Sequence, residues 1–148
     1  MNKVLITGGS GLLGTRITEI LLEKGIEVAH LSTRKSYKRK GVGVFYWDPS
    51  MQVMDAKAFE GVSSVLHLAG AGVADKRWTK TRKGEILDSR VESSLLLMNF
   101  LNHQDHQVSQ FIGASAIGYY GNQDGILTED NSAGYDFLAT VCKSWEES

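Results

Sequence analysis

At 148 residues, with 42% hydrophobic and 22% charged residues, the chain has ordinary globular composition and enough length for one domain with a real core. A formal net charge of -1 supplies no overall field toward nucleic acid or an anionic membrane, so neither partner is expected. The longest apolar runs fall far short of a membrane span, and the single cysteine, Cys142, excludes an internal disulfide and leaves a thiol metal site without a partner.

The N-terminus enters a strand directly, through Val4, Leu5 and Ile6, with no signal-type apolar region, so the expected location is the cytoplasm. From Leu12 to Lys24 the apolar positions Leu13, Ile17, Ile20 and Leu21 recur at helical spacing, and Gly25 stands where a helix C-terminal cap belongs. Ile26 to Ser32 reads as a second strand and Gly41 to Trp47 as a third, ended by Asp48-Pro49. Asp55 to Glu60 reads as a short helix, Val62 to Leu68 as a fourth strand, and Ala69 to Lys83 as a long charged loop. Ile86 to Leu101 follows as a long helix whose residues Ile86, Leu87, Val91, Leu95, Leu97, Met98 and Leu101 form a broad apolar stripe that must be mostly buried. Val108 to Ala114 is a fifth strand, Ser115 to Gly134 a loop, and Tyr135 onward a helix that holds Cys142 as a small, semi-buried residue. Strands alternating with helices predict an α/β fold, a doubly wound parallel sheet of Rossmann type spanning residues 1-148. The chain stops partway through that helix, so the last strands of such a fold and any substrate lobe are expected to lie outside it. An apolar patch on the long helix left open in this way makes a homo-oligomer the expected assembly.

The first βα unit carries Gly8-x-x-Gly11-x-x-Gly14 and, in a second register, Gly9-x-Gly11-x-x-Gly14. Glycine lets a chain turn sharply and lets backbone N–H groups approach a pyrophosphate without an intervening Cβ. Gly8 suits the tight turn, Gly11 the close approach and Gly14 the packing of helix on strand, while the helix N-terminus supplies free donors and a favourable dipole. Sites that prefer NAD place a carboxylate about 20 positions past this turn to accept from the ribose 2′-hydroxyl. Here the second strand ends Leu31-Ser32-Thr33-Arg34, with no carboxylate. Small hydroxyls with a guanidinium suit a 2′-phosphate, so Thr33 and Arg34 point to NADP. Lys35, Lys38, Arg39 and Lys40 either add to that potential or form a solvated loop.

With these motifs placed, the chain resembles the extended short-chain dehydrogenase/reductases over essentially its whole length. The resemblance lies in TGGSGLLG (Thr7 to Gly14), HLAG (His67 to Gly70) and SAIGYYG (Ser115 to Gly121). GVADKRWTKTRKGEILDSRVESS and DFLATVCKSWEES look more narrowly like the atypical branch often called sugar-nucleotide epimerase family proteins, whose members are longer and continue into a C-terminal substrate-binding part. The resemblance implies a cofactor site made by Gly8, Ser10, Gly11, Leu12, Leu13 and Gly14, with Leu68, Ala69 and Gly70 on the adenosine-ribose side. It places Ser115 at the serine that orients the substrate oxygen; the alternative is a serine that satisfies the strand-end backbone. His67 reads as a packed strand-end residue rather than a base.

Superfamily chemistry also uses a tyrosine whose pKa is lowered by a lysine four residues later. This chain has no Tyr-x-x-x-Lys; alignment through Trp145-Glu146 puts Leu138 and Cys142 at those positions. Tyr119 and Tyr120 either bring a phenol near the nicotinamide or pack beneath the next loop. Arg90, where extended members carry a helix asparagine, either contacts an anion or is an exposed helix residue. Trp78 either shapes the mouth of the site or staples its loop, and Asp48 either approaches adenine or only closes its turn. The four histidines show no metal-ligand spacing, so no metal is expected. The implied function is the NADP-binding domain of an NAD(P)-dependent sugar-nucleotide epimerase or reductase acting on an unidentified small molecule. The alternative is a nucleotide-binding or nucleotide-sensing module without turnover.

Overall fold

In the computed structural model, which describes residues 3–148, the five apolar runs form parallel strands: β1 (Lys3–Thr7), β2 (Glu27–Ser32), β3 (Val42–Asp48), β5 (Val62–His67) and β6 (Gln110–Gly113). A two-residue strand, β4 (Val53–Met54), pairs antiparallel with the end of β3, and the sheet order is β4-β3-β2-β1-β5-β6. The helices are α1 (Leu12–Glu23), α2 (Lys80–His103) and α3 (Phe137–Glu146), with single 3-10 turns at Pro49–Met51, Ala56–Phe59 and Ile117–Tyr120.

Strand alternation divides the molecule into two layers around the sheet. Leu5, Ala29, Leu31, Trp47 and Val65 project to one side and pack with Phe59 of the second 3-10 turn and with Leu96 and Leu97 of α2. Ile6, Val28 and His30 project to the other side, where the Thr18 hydroxyl of α1 meets the His30 ring. The sheet is thus doubly wound, as the residue pattern predicts. The return from β2 to β3 uses only the loop 33–41, with no helix.

Two parts of the pattern came out differently. Leu12 and Leu13 are 89% and 63% exposed, because the helical face that meets the sheet is built from Gly14 and Thr18 instead. The long helix starts six residues earlier than its apolar stripe, at Lys80, because Thr79 caps it by accepting from the Arg82 N–H at 3.1 Å. Within it Ile86 and Leu97 are buried as expected, Leu95 is exposed, and Ser93 and Ser94 are buried among the apolar groups. No described helix is long and apolar enough to cross a membrane.

Candidate dinucleotide site

The strand order reverses between β1 and β5, and at that point, beyond the carboxyl ends of the strands, lies a cleft of about 640 Å³. Ligand pockets generally fall in the range of roughly 300–1,000 Å³. Four backbone segments line it: Gly8 to Ser10 after β1, Leu31 to Arg34 at the end of β2, Trp47 to Ser50 at the end of β3, and Ala69 to Ala71 after β5. α2 closes the remaining wall with Arg82, Glu85, Asp88, Ser89, Glu92 and Ser93.

The glycine turn is built as its composition predicts, with one addition. Gly8 has φ +70°, and a Cβ there would come within 2.9 Å of the Leu68 carbonyl. Its own carbonyl accepts from the Gly11 N–H at 2.9 Å, which closes the turn. A Cβ on Gly14 would overlap that same carbonyl oxygen, so Gly14 is what lets α1 sit against the turn. Gly11 caps α1 without any side-chain bond, whereas Thr79 and Asp136 cap α2 and α3 with theirs. α1 therefore presents uncapped N–H donors beside a side-chain-free cradle, which fits an anionic pyrophosphate. The addition is Gly9, whose missing side chain makes room for the buried ring of His30.

Behind the other cleft loop sits His67. The Thr7 hydroxyl accepts from the N–H groups of Leu68 and Ala69, both at 3.1 Å, which uses its two lone pairs. Its proton therefore goes to Nδ1 of His67, 2.6 Å away, and the imidazole proton sits on Nε2, 3.2 Å from the Ser93 hydroxyl. Ser93 in turn donates to the Ser89 carbonyl at 2.7 Å. The ring is neutral and enclosed by Trp47, Phe111 and Trp145, and burial lowers its pKa to about 4. His67 is a structural strand-end residue, in agreement with the sequence reading. His30 is held in the same tautomer. The Thr18 hydroxyl donates to the Gly14 carbonyl and so accepts from Nε2, while Nδ1 accepts from the Tyr37 hydroxyl. Burial, then the charge of Arg39, lowers its pKa to about 4.

The loop after β5 is pinned to α2 at three further points. The Ala71 N–H donates to the Ser89 hydroxyl at 2.9 Å, Arg90 donates to the Ala71 carbonyl at 3.1 Å, and Arg82 donates to the Gly72 carbonyl at 2.6 Å. Arg90 also lies over the Trp145 ring, 5.1 Å from its centroid, and against Gly70. It is thus a half-buried clamp rather than an exposed helix residue. Sequence reasoning missed Arg82, Ser89 and Ser93 as a group. Their spacing of seven and four residues puts them on one helical face, but α2 carries many other polar side chains, so the sequence did not single them out.

Of the residues singled out from the sequence, Gly8, Ser10, Thr33, Arg34, Ala69 and Gly70 line the cleft. Gly11, Leu12 and Leu13 form the start of α1, Gly14 is buried beneath the turn, and Leu68 bonds to Thr7 through its N–H. Ser115 lies outside the cleft lining, exposed at the end of β6, where its hydroxyl donates to the Glu146 carboxylate. Asp48 accepts from the Ser50 N–H and hydroxyl, the Met51 N–H and the Tyr46 hydroxyl, so its carboxylate is held low and is occupied by the turn. Trp78 is a staple: its indole donates to the Val73 carbonyl at 2.8 Å and its ring meets Phe137 edge-on. Tyr119 and Tyr120 pack edge to face on one another. Leu138 and Cys142 lie against Gly118, and the Cys142 thiol is buried and pushed up by that burial.

The family model of the NAD dependent epimerase/dehydratase family matches residues 4–140. The chain belongs to this family. An epimerase family protein of Mycobacterium tuberculosis is 34% identical over 144 residues, 97% of this chain and 46% of that protein. The human epimerase family protein SDR39U1 is 26% identical over 148 residues. A crystal structure of the human protein with NADPH superposes with TM-score 0.80 at 24% identity, covering 98% of this chain and 48% of the other. The nucleoside-diphosphate sugar epimerase of Corynebacterium glutamicum superposes with TM-score 0.77 at 34% identity, covering 98% and 29%. The chain spans about half the length of the curated relatives it matches. The epimerase-family fold thus extends over the described chain, with the glycine turn in β1–α1 and the cleft at the switch point.

Proposed function

We propose that this chain is the NADP(H)-binding part of an epimerase-family protein that acts on a sugar nucleotide or a related small carbonyl compound. The observation that carries the reading is the charge at the end of β2. Of the five cations between residues 34 and 40, Arg34 alone lines the cleft, and no carboxylate pairs with it among the described residues. Lys35 lies over the Tyr46 ring, and Arg39 is spent on the Thr15 carbonyl and Glu19. An exposed guanidinium beside Thr33 suits the dianionic 2′-phosphate, whereas a ribose hydroxyl would find no acceptor carboxylate there. The NADPH in the human relative's structure supports the same choice.

When bound, the cofactor would supply hydride chemistry; the residues of this chain would bind and orient it. Gly8 to Ser10 and the start of α1 take the pyrophosphate, Thr33 and Arg34 the 2′-phosphate, and Ala69 and Gly70 the ribose side. Ser115 is the candidate for orienting a substrate oxygen; its hydroxyl proton is given to the Glu146 carboxylate, so that role requires the bond to Glu146 to open when substrate arrives. The test is calorimetric titration of this chain with NADPH and NADH. NADPH binds more tightly by about 1–3 kcal/mol, and Arg34→Ala removes most of the difference. Equal affinities, or tighter NADH, would sink the assignment.

A second reading, a binding module without turnover, is favoured by one observation. On the alignment that the resemblance implies, Leu138 and Cys142 stand at the positions of the tyrosine and lysine, and neither an alkyl side chain nor a buried thiol performs that proton relay. NADPH oxidation with a panel of sugar nucleotides and carbonyl compounds separates the two, since turnover abolished by Ser115→Ala excludes the module.

A further inference from the structure

Tyr37 belongs to none of the motifs above, yet it connects two of them. Its side chain is half-buried and lines the cleft. Its ring runs nearly parallel to the His30 imidazole, with centroids 6.0 Å apart and planes 7° apart, and its hydroxyl donates to His30 Nδ1 at 3.3 Å. The Arg34 guanidinium carbon lies 5.3 Å from the centroid of the same ring. The backbone between them is closed as well: the Tyr37 N–H donates to the Arg34 carbonyl at 3.0 Å, and the Arg34 N–H to the Ser32 hydroxyl at 3.1 Å. His30, fully buried, fills the space that Gly9 leaves open. An unbroken set of contacts therefore runs from Arg34 through Tyr37 and His30 to the glycine turn.

We propose that Tyr37 is a positioning residue for cofactor selection: its ring holds the Arg34 guanidinium where the 2′-phosphate arrives and fixes that point relative to the turn that takes the pyrophosphate. The proposal rests on the NADP(H) reading above. A long, flexible arginine loses rotamer freedom when it captures an anion, and an aromatic face that restrains it beforehand lowers that loss. The ring does this, held by its packing along the His30 imidazole, and the long hydroxyl bond to Nδ1 is not required for it.

The probes are adenosine 2′,5′-bisphosphate and AMP, which differ only in the 2′-phosphate, titrated calorimetrically into this chain. The wild type is expected to prefer the bisphosphate. Tyr37→Ala lowers the preference about fivefold, the size expected for a lost cation–π restraint, and leaves AMP affinity within about twofold. Tyr37→Phe, which keeps the ring, retains the preference. If Arg34→Ala abolishes the preference while Tyr37→Ala leaves it intact, the positioning role is overturned and the NADP(H) reading stands. Equal loss for AMP and bisphosphate in Tyr37→Ala would make the ring a general support and overturn selection. Tyr37→Phe behaving like Tyr37→Ala would overturn the role of the ring. A wild type without preference would overturn the NADP(H) reading and this proposal together.

Discussion

Gly9→Ala tests whether the glycine turn and the histidine behind it are one packed unit. Gly9 has no left-handed backbone angle, unlike Gly8, so an alanine there meets no conformational penalty and its whole effect is steric. The added Cβ would overlap Cε1, Nδ1 and Nε2 of His30. The ring cannot swing aside, being 0% exposed and tied at Nε2 to Thr18 at 2.9 Å and at Nδ1 to Tyr37. Overpacking of this kind costs about 1–3 kcal/mol, and displacing one buried hydrogen bond adds about 1 kcal/mol. His30→Ala alone costs about 2–4 kcal/mol through the cavity it opens, while Thr18 keeps its bond to the Gly14 carbonyl. In the double variant the new methyl enters the vacated space, so the two losses should fall short of additive by about 1–2 kcal/mol. Urea unfolding of the four proteins at neutral pH measures this coupling. Additivity within about 0.5 kcal/mol would show that Gly9 and His30 do not share that space, and the account of the turn would be wrong.

Thr7→Val keeps the shape of the side chain but removes the acceptor for the Ala69 N–H and the donor to His67; it should cost about 2–4 kcal/mol in urea unfolding and speed amide exchange at Ala69, while Thr7→Ser costs about 1 kcal/mol or less. For pH, His67 and His30 have folded pKa values lowered from 6.5 to about 4, so between those values the unfolded chain binds protons that the folded one refuses. Stability is therefore complete above pH 6.5 and declines as pH falls toward 4. His67→Gln should flatten that decline, and an unchanged slope would show that the ring titrates normally in the fold. Arg90→Lys keeps the charge but loses the guanidinium contact over the Trp145 ring and the geometry by which one nitrogen, Nη1, bonds to both the Ala71 and Ile86 carbonyls; a loss of about 1–3 kcal/mol is expected, and a wild-type unfolding midpoint would show that charge alone suffices.

The parallel strands, the glycine turn and the charge at the end of β2 were legible in the residues because each depends on neighbours within a few positions. A buried parallel strand reads as an apolar run, a left-handed turn needs Gly8, and the 2′-phosphate argument needs only the identity of residues 31 to 34. What α2 contributes depended on tertiary contact. Its apolar stripe marked a helix, but Thr79 set its start, and Ser89, Arg90 and Ser93 acquire roles only because the β5 loop and His67 come to lie beside them. The same holds for Leu13, apolar and in phase with the helix yet exposed, because Gly14 and Thr18 form the face that meets the sheet. Ser115 lies two residues beyond the fifth parallel strand, and its partner Glu146 is 31 residues further on. Local pattern reports which side chains an element carries and how they repeat. It holds no term for what stands opposite them, and the bonds between Thr7 and His67, across 60 residues, or between Thr18 and His30 exist only once the sheet has brought its strands together.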